Sequence, residues 1–150
     1  MRTLRLLTLN VEGNRWHWPT RKRQVRSILS AEVPDLVALQ EILRPQGAGS
    51  SQAEELAMGL GYRVGFSCSS HIARPFPSEL GNALLSRYPL REQRTERLPS
   101  SVAKEPAGLL YAVCSVKVGL LPLYVTKLTA EPGATAVRRE QLGHIVRYID

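Results

Sequence analysis

A chain of 150 residues fits a single domain at roughly 150 residues per domain, which excludes a multidomain machine. Hydrophobic residues at 43%, charged residues at 22%, 11 Gly and 10 Pro are ordinary globular values, so disordered, collagen-like and coiled-coil classes are excluded too. The 20 Lys and Arg against 13 Asp and Glu give a net charge of +7 and a pI near 9.9, which suits a polyanionic partner and equally serves solubility alone.

The first eight residues interleave basic and apolar side chains in a run too short for a signal-peptide core or a membrane span, so a soluble, cytoplasmic protein is expected. Leu4 to Asn10 reads as the first strand and leads into a turn-rich stretch, Gly13 to Pro19. In that stretch Trp16 and Trp18 flank His17, close to Arg15; they suit stacking on bases or sugars, and more often such rings plug a loop onto a core. Thr20 can cap a helix from Arg21 to about Glu32, whose apolar face is Val25, Ile28, Leu29 and Val33; Arg21, Lys22, Arg23 and Arg26 lie elsewhere on its surface. Pro34 ends it.

Leu36 to Gln40 is a nearly continuous apolar run, as expected of a strand covered on both faces, and it ends in Glu41. Ser51 to Leu60 reads as a second helix. Strands are predicted at Arg63 to Cys68, Asn82 to Ser86, Leu90 to Glu96, Gly108 to Val118 and Leu121 to Lys127, the last two as a hairpin. A third helix covers about Ala136 to Tyr148, with Leu142, Ile145, Val146 and Ile149 on the face to be buried. Helices alternating with strands define an α/β fold of packed layers.

Cys68 and Cys114 lie far apart, with no Cys or His at a metal-site spacing, so neither a disulfide framework nor a zinc site is predicted, and both read as small buried hydrophobes. His17, His71 and His144 likewise show no mutual spacing for metal ligation and read as surface or packing residues. Ser69, Ser70, Ser78, Ser100 and Ser101 lack a nucleophile elbow. What stands out is a polar residue at the carboxyl end of three apolar strands: Asn10, Glu41 and Lys127. Ligand sites of α/β sheets gather at such strand ends. Taken singly, each has a bland role as turn, solvated strand end or surface charge.

Together with their flanks, these residues resemble the endonuclease/exonuclease/phosphatase superfamily, the metal-dependent phosphodiesterases of deoxyribonuclease-I-like fold. Leu6 to Val11 is similar to the family's first strand with its Asn; Pro34 to Glu41 is similar to the strand ending in its metal-binding Glu. Gly81 to Leu90 resembles the central strand and turn, and Arg138 to Leu142 the helix after the His-bearing strand. The resemblance implies the N-terminal half of a four-layered α/β sandwich with a mixed sheet, acting as a metal-dependent hydrolase on a phosphate-containing substrate, nucleic acid among the choices. It implies Glu41 as ligand of Mg²⁺ or Mn²⁺, Asn10 and Lys127 as catalytic residues, and Asn82 as a substrate-binding residue.

Two departures shape that expectation. Thr126-Lys127-Leu128 stands where the family has Thr-His-Leu, and a lysine, ordinarily an ammonium at neutral pH, does not reproduce an imidazole. The family's Asp-x-Asn strand and later Asp-His pair would follow the third helix, and the sequence ends at Asp150, so half a catalytic centre is expected and the isolated chain is expected to be weakly active or inactive. Strands Leu4 to Asn10, Leu36 to Gln40, Asn82 to Ser86 and Leu121 to Lys127 are expected to share a sheet. A half-domain is further expected to expose an apolar sheet face, with Val113, Val116 and Val125 among its residues, and so to self-associate or capture a partner chain. The rival classes are a non-catalytic anion- or nucleic-acid-binding protein using Lys127 and the Arg21 to Arg26 cluster, and one half of a split enzyme.

Overall fold

Among the described residues there are seven strands, most of them apolar runs rich in leucine and β-branched residues, and three helices that cover them. The computed structural model describes residues 3–13, 17–47, 49–73, 75–99 and 106–150. In chain order the elements are β1 (Leu6–Asn10), α1 (Trp18–Glu32), β2 (Leu36–Pro45), α2 (Gln52–Ala57), β3 (Arg63–Ile72), β4 (Ser78–Ser86), β5 (Leu90–Arg97), β6 (Gly108–Val116), β7 (Gly119–Thr126) and α3 (Thr135–Ile149). Arg15, Trp16, Ser100 and Ser101, considered above, lie outside the described residues.

The strands divide into a four-stranded sheet, β1-β2-β4-β3, and a three-stranded sheet, β5-β6-β7. β1 runs parallel to β2, and every other pairing is antiparallel. Three apolar clusters then stack four layers. Val25 and Leu29 of α1 and Ala53 and Leu56 of α2 bury against Val37, Leu39, Ala83 and Leu85 on one face of the first sheet. Leu36 and Leu84 on its other face meet Leu110, Ala112, Cys114 and Val125 of the second sheet. Leu109 and Tyr124, on the far side of the second sheet, receive Ile145 and Tyr148 of α3. Each fully buried Leu or Val in these seams contributes roughly 1.5–3 kcal/mol of transfer free energy.

The strand ending before Lys127 therefore belongs to the second sheet, opposite the sheet of β1, β2 and β4, which corrects the expectation of a single shared sheet. The reason is the short β6–β7 connection, which makes β7 the antiparallel neighbour of β6. β7 is an edge strand and carries Pro122 opposite Val113. The second sheet also covers the inner face of the first. Val125 lies in the seam with Val116 packed partly against it, and Val113 is buried as well, so these three residues, expected on an exposed apolar face, are covered within the chain.

Helix faces are rotated from their predicted positions. α1 begins at Trp18, with His17 at the N-cap making no side-chain cap bond, rather than at Arg21 behind Thr20. Trp18 is buried, and its Nε1 donates to Glu55 Oε2 at 2.9 Å, whereas Ile28 and Val33 stay exposed. α2 opens on a capping box, in which Ser51 Oγ accepts from Glu54 N while the Glu54 carboxylate accepts from Ser51 N. In α3 the buried residues are Val137 and Gln141, and Leu142, Val146 and Ile149 are about half exposed. Gln141 wins the inward face because its amide bridges two backbone segments: Thr129 N donates to Oε1 at 3.1 Å, and Nε2 donates to Pro99 O at 2.9 Å. Leucine makes neither bond.

Candidate active site

The chain leaves β1 through a turn held by its own side chains. Asn10 Oδ1 accepts from Glu12 N at 2.8 Å, and Glu12 sits in the left-handed region at φ 64°. Arg21 donates to Val11 O and to the Glu12 carboxylate, each at 2.9 Å. Gly13, at φ 48°, lies so close to β2 that a Cβ there would stand 3.0 Å from Glu41 O, so the turn rests directly on the Glu41 backbone. Asn10 is fixed beside Glu41.

Glu41 occupies a break in the β2–β4 register between Leu39 and Ile42, with its own φ at 56°. A non-glycine residue in that region is costly, of order 1–3 kcal/mol, and such residues concentrate at sites that need a side chain re-aimed. Here the bulge turns the carboxylate toward the second sheet. Asn10 Nδ2 donates to Glu41 Oε1 at 3.2 Å, and the Lys127 ammonium pairs with the same oxygen. Burial by itself raises the Glu41 pKa, but the hydrogen bonds from Lys127 and Asn10 and the Lys127 charge outweigh it and hold the carboxyl below its ordinary value.

Asn82, on β4, is buried, and its Nδ2 donates to Gly108 O at 2.8 Å. Thr126 Oγ1, on the neighbouring strand of the second sheet, donates to the same carbonyl at 2.9 Å, so Asn82 ties the first sheet to the second at a carbonyl that the residue before Lys127 also holds. Glu41, Lys127, Asn82, Gly81, Ser69 and Ser70 line a cleft of about 40 Å³, with Leu80, Pro106 and Ala107 completing its wall. That volume takes a water or a small anionic group rather than a whole organic ligand. All four predicted site residues thus converge: Asn10 orients Glu41, Lys127 pairs with it, and Asn82 forms the floor.

Sequence reasoning weighs Ser69 and Ser70 only as nucleophiles, not as cleft lining, and passes over Gly108. The signal for Gly108 is packing, since a Cβ there would meet Ser69 Oγ at 2.6 Å. The basic cluster of α1 is largely engaged within the chain. Arg21 pairs with Glu12, Lys22 Nζ lies 2.8 Å from Glu55 Oε2, and Arg26 donates to the carbonyls of Glu55, Leu56 and Met58, capping the end of α2. His144 Nε2 lies 2.8 Å from Glu96 Oε1, a surface pairing. His71 departs from expectation, because it meets Cys68 and Glu79 in one cluster.

The donors in the cleft suit a hard divalent cation held weakly. Glu41, read from the sequence as a strand end, sits instead at the bulge within β2, which runs on to Pro45; it offers the anionic oxygen that Mg²⁺ requires, but it is one carboxylate whose charge an ammonium already offsets. Among the described residues no helix is long and apolar enough to cross a membrane.

Two packed sheets flanked by helices, with a polar cleft between them, define a layered α/β sandwich. The model of the endonuclease/exonuclease/phosphatase family matches residues 7–145, and the chain belongs to that family. Among solved structures it is similar to an endonuclease/exonuclease/phosphatase from Beutenbergia cavernae, at 26% identity and a TM-score of 0.78, over 100% of this chain and 45% of that one. The human Nocturnin catalytic domain with bound sulfate aligns at 21% identity and TM-score 0.77, covering 97% of this chain and 57% of that one. TDP2 from D. rerio, in complex with a single-strand DNA product, aligns at 20% identity and TM-score 0.71, covering 97% and 54%. The chain spans about half the length of these structures. No curated protein matches the sequence.

Proposed function

We propose that this chain supplies the phosphate-binding wall of a hydrolase that acts on phosphate esters, with the phosphodiesters of single-stranded nucleic acid as the leading substrate class. The observation that carries the reading is the meeting of Asn10 from the end of β1, Glu41 from the bulge of β2 and Lys127 from just beyond β7, the last two lining one small cleft and Asn10 bonded to the Glu41 carboxylate. Family membership supports ester hydrolysis. The DNA product held by the similar TDP2 structure, and a net charge of +7, favour nucleic acid.

In this reading the Lys127 ammonium binds a non-bridging phosphoryl oxygen and offsets the charge that grows there as the attacking oxygen arrives. As an ammonium it only donates, so it serves charge and position rather than proton abstraction. Glu41 aims that ammonium, and Asn10 fixes the carboxylate through Oε1. Asn82, tied to Gly108 O, keeps the two sheets at the separation the cleft needs. Glu41 is the residue that would hold Mg²⁺ or Mn²⁺, and the cation would supply polarisation of the phosphoryl oxygen and orientation of the attacking water. No imidazole lines the cleft among the described residues, so binding is expected to exceed turnover in this chain.

A fluorescent single-stranded oligodeoxynucleotide provides the test, with anisotropy reporting binding and gel analysis reporting cleavage in Mg²⁺. Lys127→Gln is expected to weaken binding about tenfold, the size of one charge-assisted contact, and Glu41→Gln to abolish any metal-dependent cleavage. Unchanged binding in the first variant and unchanged cleavage in the second overturn the reading.

A further inference from the structure

Residues three apart on a regular strand point to opposite faces of the sheet. Cys68 and His71 of β3 do not, because the register slips by one residue between Cys68 and Ser70: Cys68 lies opposite Gly81, while His71 lies opposite Glu79. The extra residue at this bulge turns His71 to the same side as Cys68 and pairs it across the ladder with Glu79. Cys68 Sγ and His71 Nε2 are 3.8 Å apart, and the ligating atoms of Cys68, His71 and Glu79 all fall within 4.8 Å of one another. Sulfur and nitrogen bound to one tetrahedral Zn²⁺ at ordinary bond lengths are separated by roughly 3.6 Å.

The surroundings suit a bound cation. Arg44 Nε pairs with Glu79 Oε2 and its guanidinium lies over the Phe66 ring, which holds the carboxylate in place with Oε1 left for a metal. Gln46 Nε2 is 3.4 Å from His71 Nδ1. A half-turn of that amide sets Gln46 Oε1 against Nδ1–H, the partner that frees the Nε2 lone pair toward Cys68. The site is far from dry: His71 is exposed, and Cys68 and Glu79 are partly buried.

We propose that Cys68, His71 and Glu79 form a binding site for a borderline-soft divalent cation, Zn²⁺ foremost, with three protein ligands and a fourth position open to water. The site uses none of the residues that line the Glu41 cleft and does not depend on the hydrolase reading. Uptake of the metal displaces the thiol proton of Cys68 to solvent, leaving a thiolate on the cation. Once bound, it fastens the bulge of β3 to β4, and that bulge carries Ser69 and Ser70 into the cleft wall.

Cobalt(II) added to the full chain gives the direct readout, because only a thiolate ligand produces an intense sulfur-to-cobalt charge-transfer band. One equivalent is expected to develop the band, Zn²⁺ to bleach it, Cys68→Ser to abolish it, and Cys114→Ser to leave it unchanged. His71→Ala is expected to weaken cobalt binding by about tenfold or more, and Zn²⁺ to slow alkylation of Cys68 in the unsubstituted chain by a similar factor. Absence of the band at saturating cobalt, its survival in Cys68→Ser, or alkylation of Cys68 indifferent to Zn²⁺ overturns the proposal.

Discussion

Lys127 and Glu41 belong to different sheets and meet as an ion pair across the cleft between them. Both side chains are mostly buried, 29% and 19% exposed, so the pair is screened less than a surface contact. The ammonium occupies the carboxylate oxygen that a metal would seek.

Removing that ammonium frees the carboxylate. Lys127→Gln is expected to strengthen Mg²⁺ binding about tenfold, roughly 1.4 kcal/mol, and Glu41→Gln to remove it. Calorimetric titration of both variants beside the parent checks this. Equal heats from the parent and Glu41→Gln would take Glu41 out of the metal site.

The same pair predicts a pH dependence. Burial of Glu41 raises its pKa, and Lys127 and Asn10 more than reverse this, so the folded value lies below the ordinary 4.5. A depressed carboxyl stabilises the fold above its unfolded pKa, and that contribution is lost as pH falls through the folded value. Stability should therefore decline with acid below about pH 4.5, and Lys127→Met should shift the Glu41 titration upward. Carboxylate NMR titration resolves the shift, and a parent value above 4.5 would contradict the geometry.

Gln141 gives a stability test that separates structure from hydropathy. Gln141→Leu leaves Thr129 N and Pro99 O without their buried partner and is expected to cost about 2–4 kcal/mol in urea unfolding. Leu142→Gln, at a residue 52% exposed, is expected to change stability by less than about 0.5 kcal/mol. The reverse order would restore the apolar face predicted from the sequence.

Gly81 tests how tightly β3 and β4 approach beside the cleft. A Cβ there would stand 1.8 Å from Ser67 O, a backbone atom that cannot swing away. Gly81→Ala is expected to destabilise the chain by about 3 kcal/mol or more. Thermal unfolding reports it, and a variant as stable as the parent would refute the close approach.

Much of this was readable from residue patterns, and the exceptions share a cause. Runs such as Leu36 to Gln40 and Leu109 to Val113 are buried on both faces and announce strands by composition, and Ser51 with Glu54 announces a helix start. Asn10 is legible because it closes an apolar run, and Glu41 because it interrupts one that resumes at Ile42 and Leu43. What composition does not encode is register. The bulges at Glu41 and at Ser69, the assignment of β7 to the second sheet, and the meeting of Cys68 with His71 depend on which strand lies opposite which. The rotation of α3 was hidden for a related reason: hydropathy ranks Leu142 above Gln141, and only the positions of Thr129 and Pro99 reverse that order.

Pro122 separates β7 in kind from the other three edge strands of the described sheets. A proline has no amide hydrogen, so midway along β7 the backbone offers an incoming strand no donor, and the ladder cannot be templated through that point. β1, β3 and β5, the other edge strands, contain no proline, and β1 leaves Leu6 59% exposed. Among the proline-free rims β1 alone carries no Lys, Arg, Asp or Glu, whereas β3 begins with Arg63 and β5 is mostly charged, so β1 is the rim along which a foreign strand can zip most readily and where any accretion into fibrillar stacks is expected to begin.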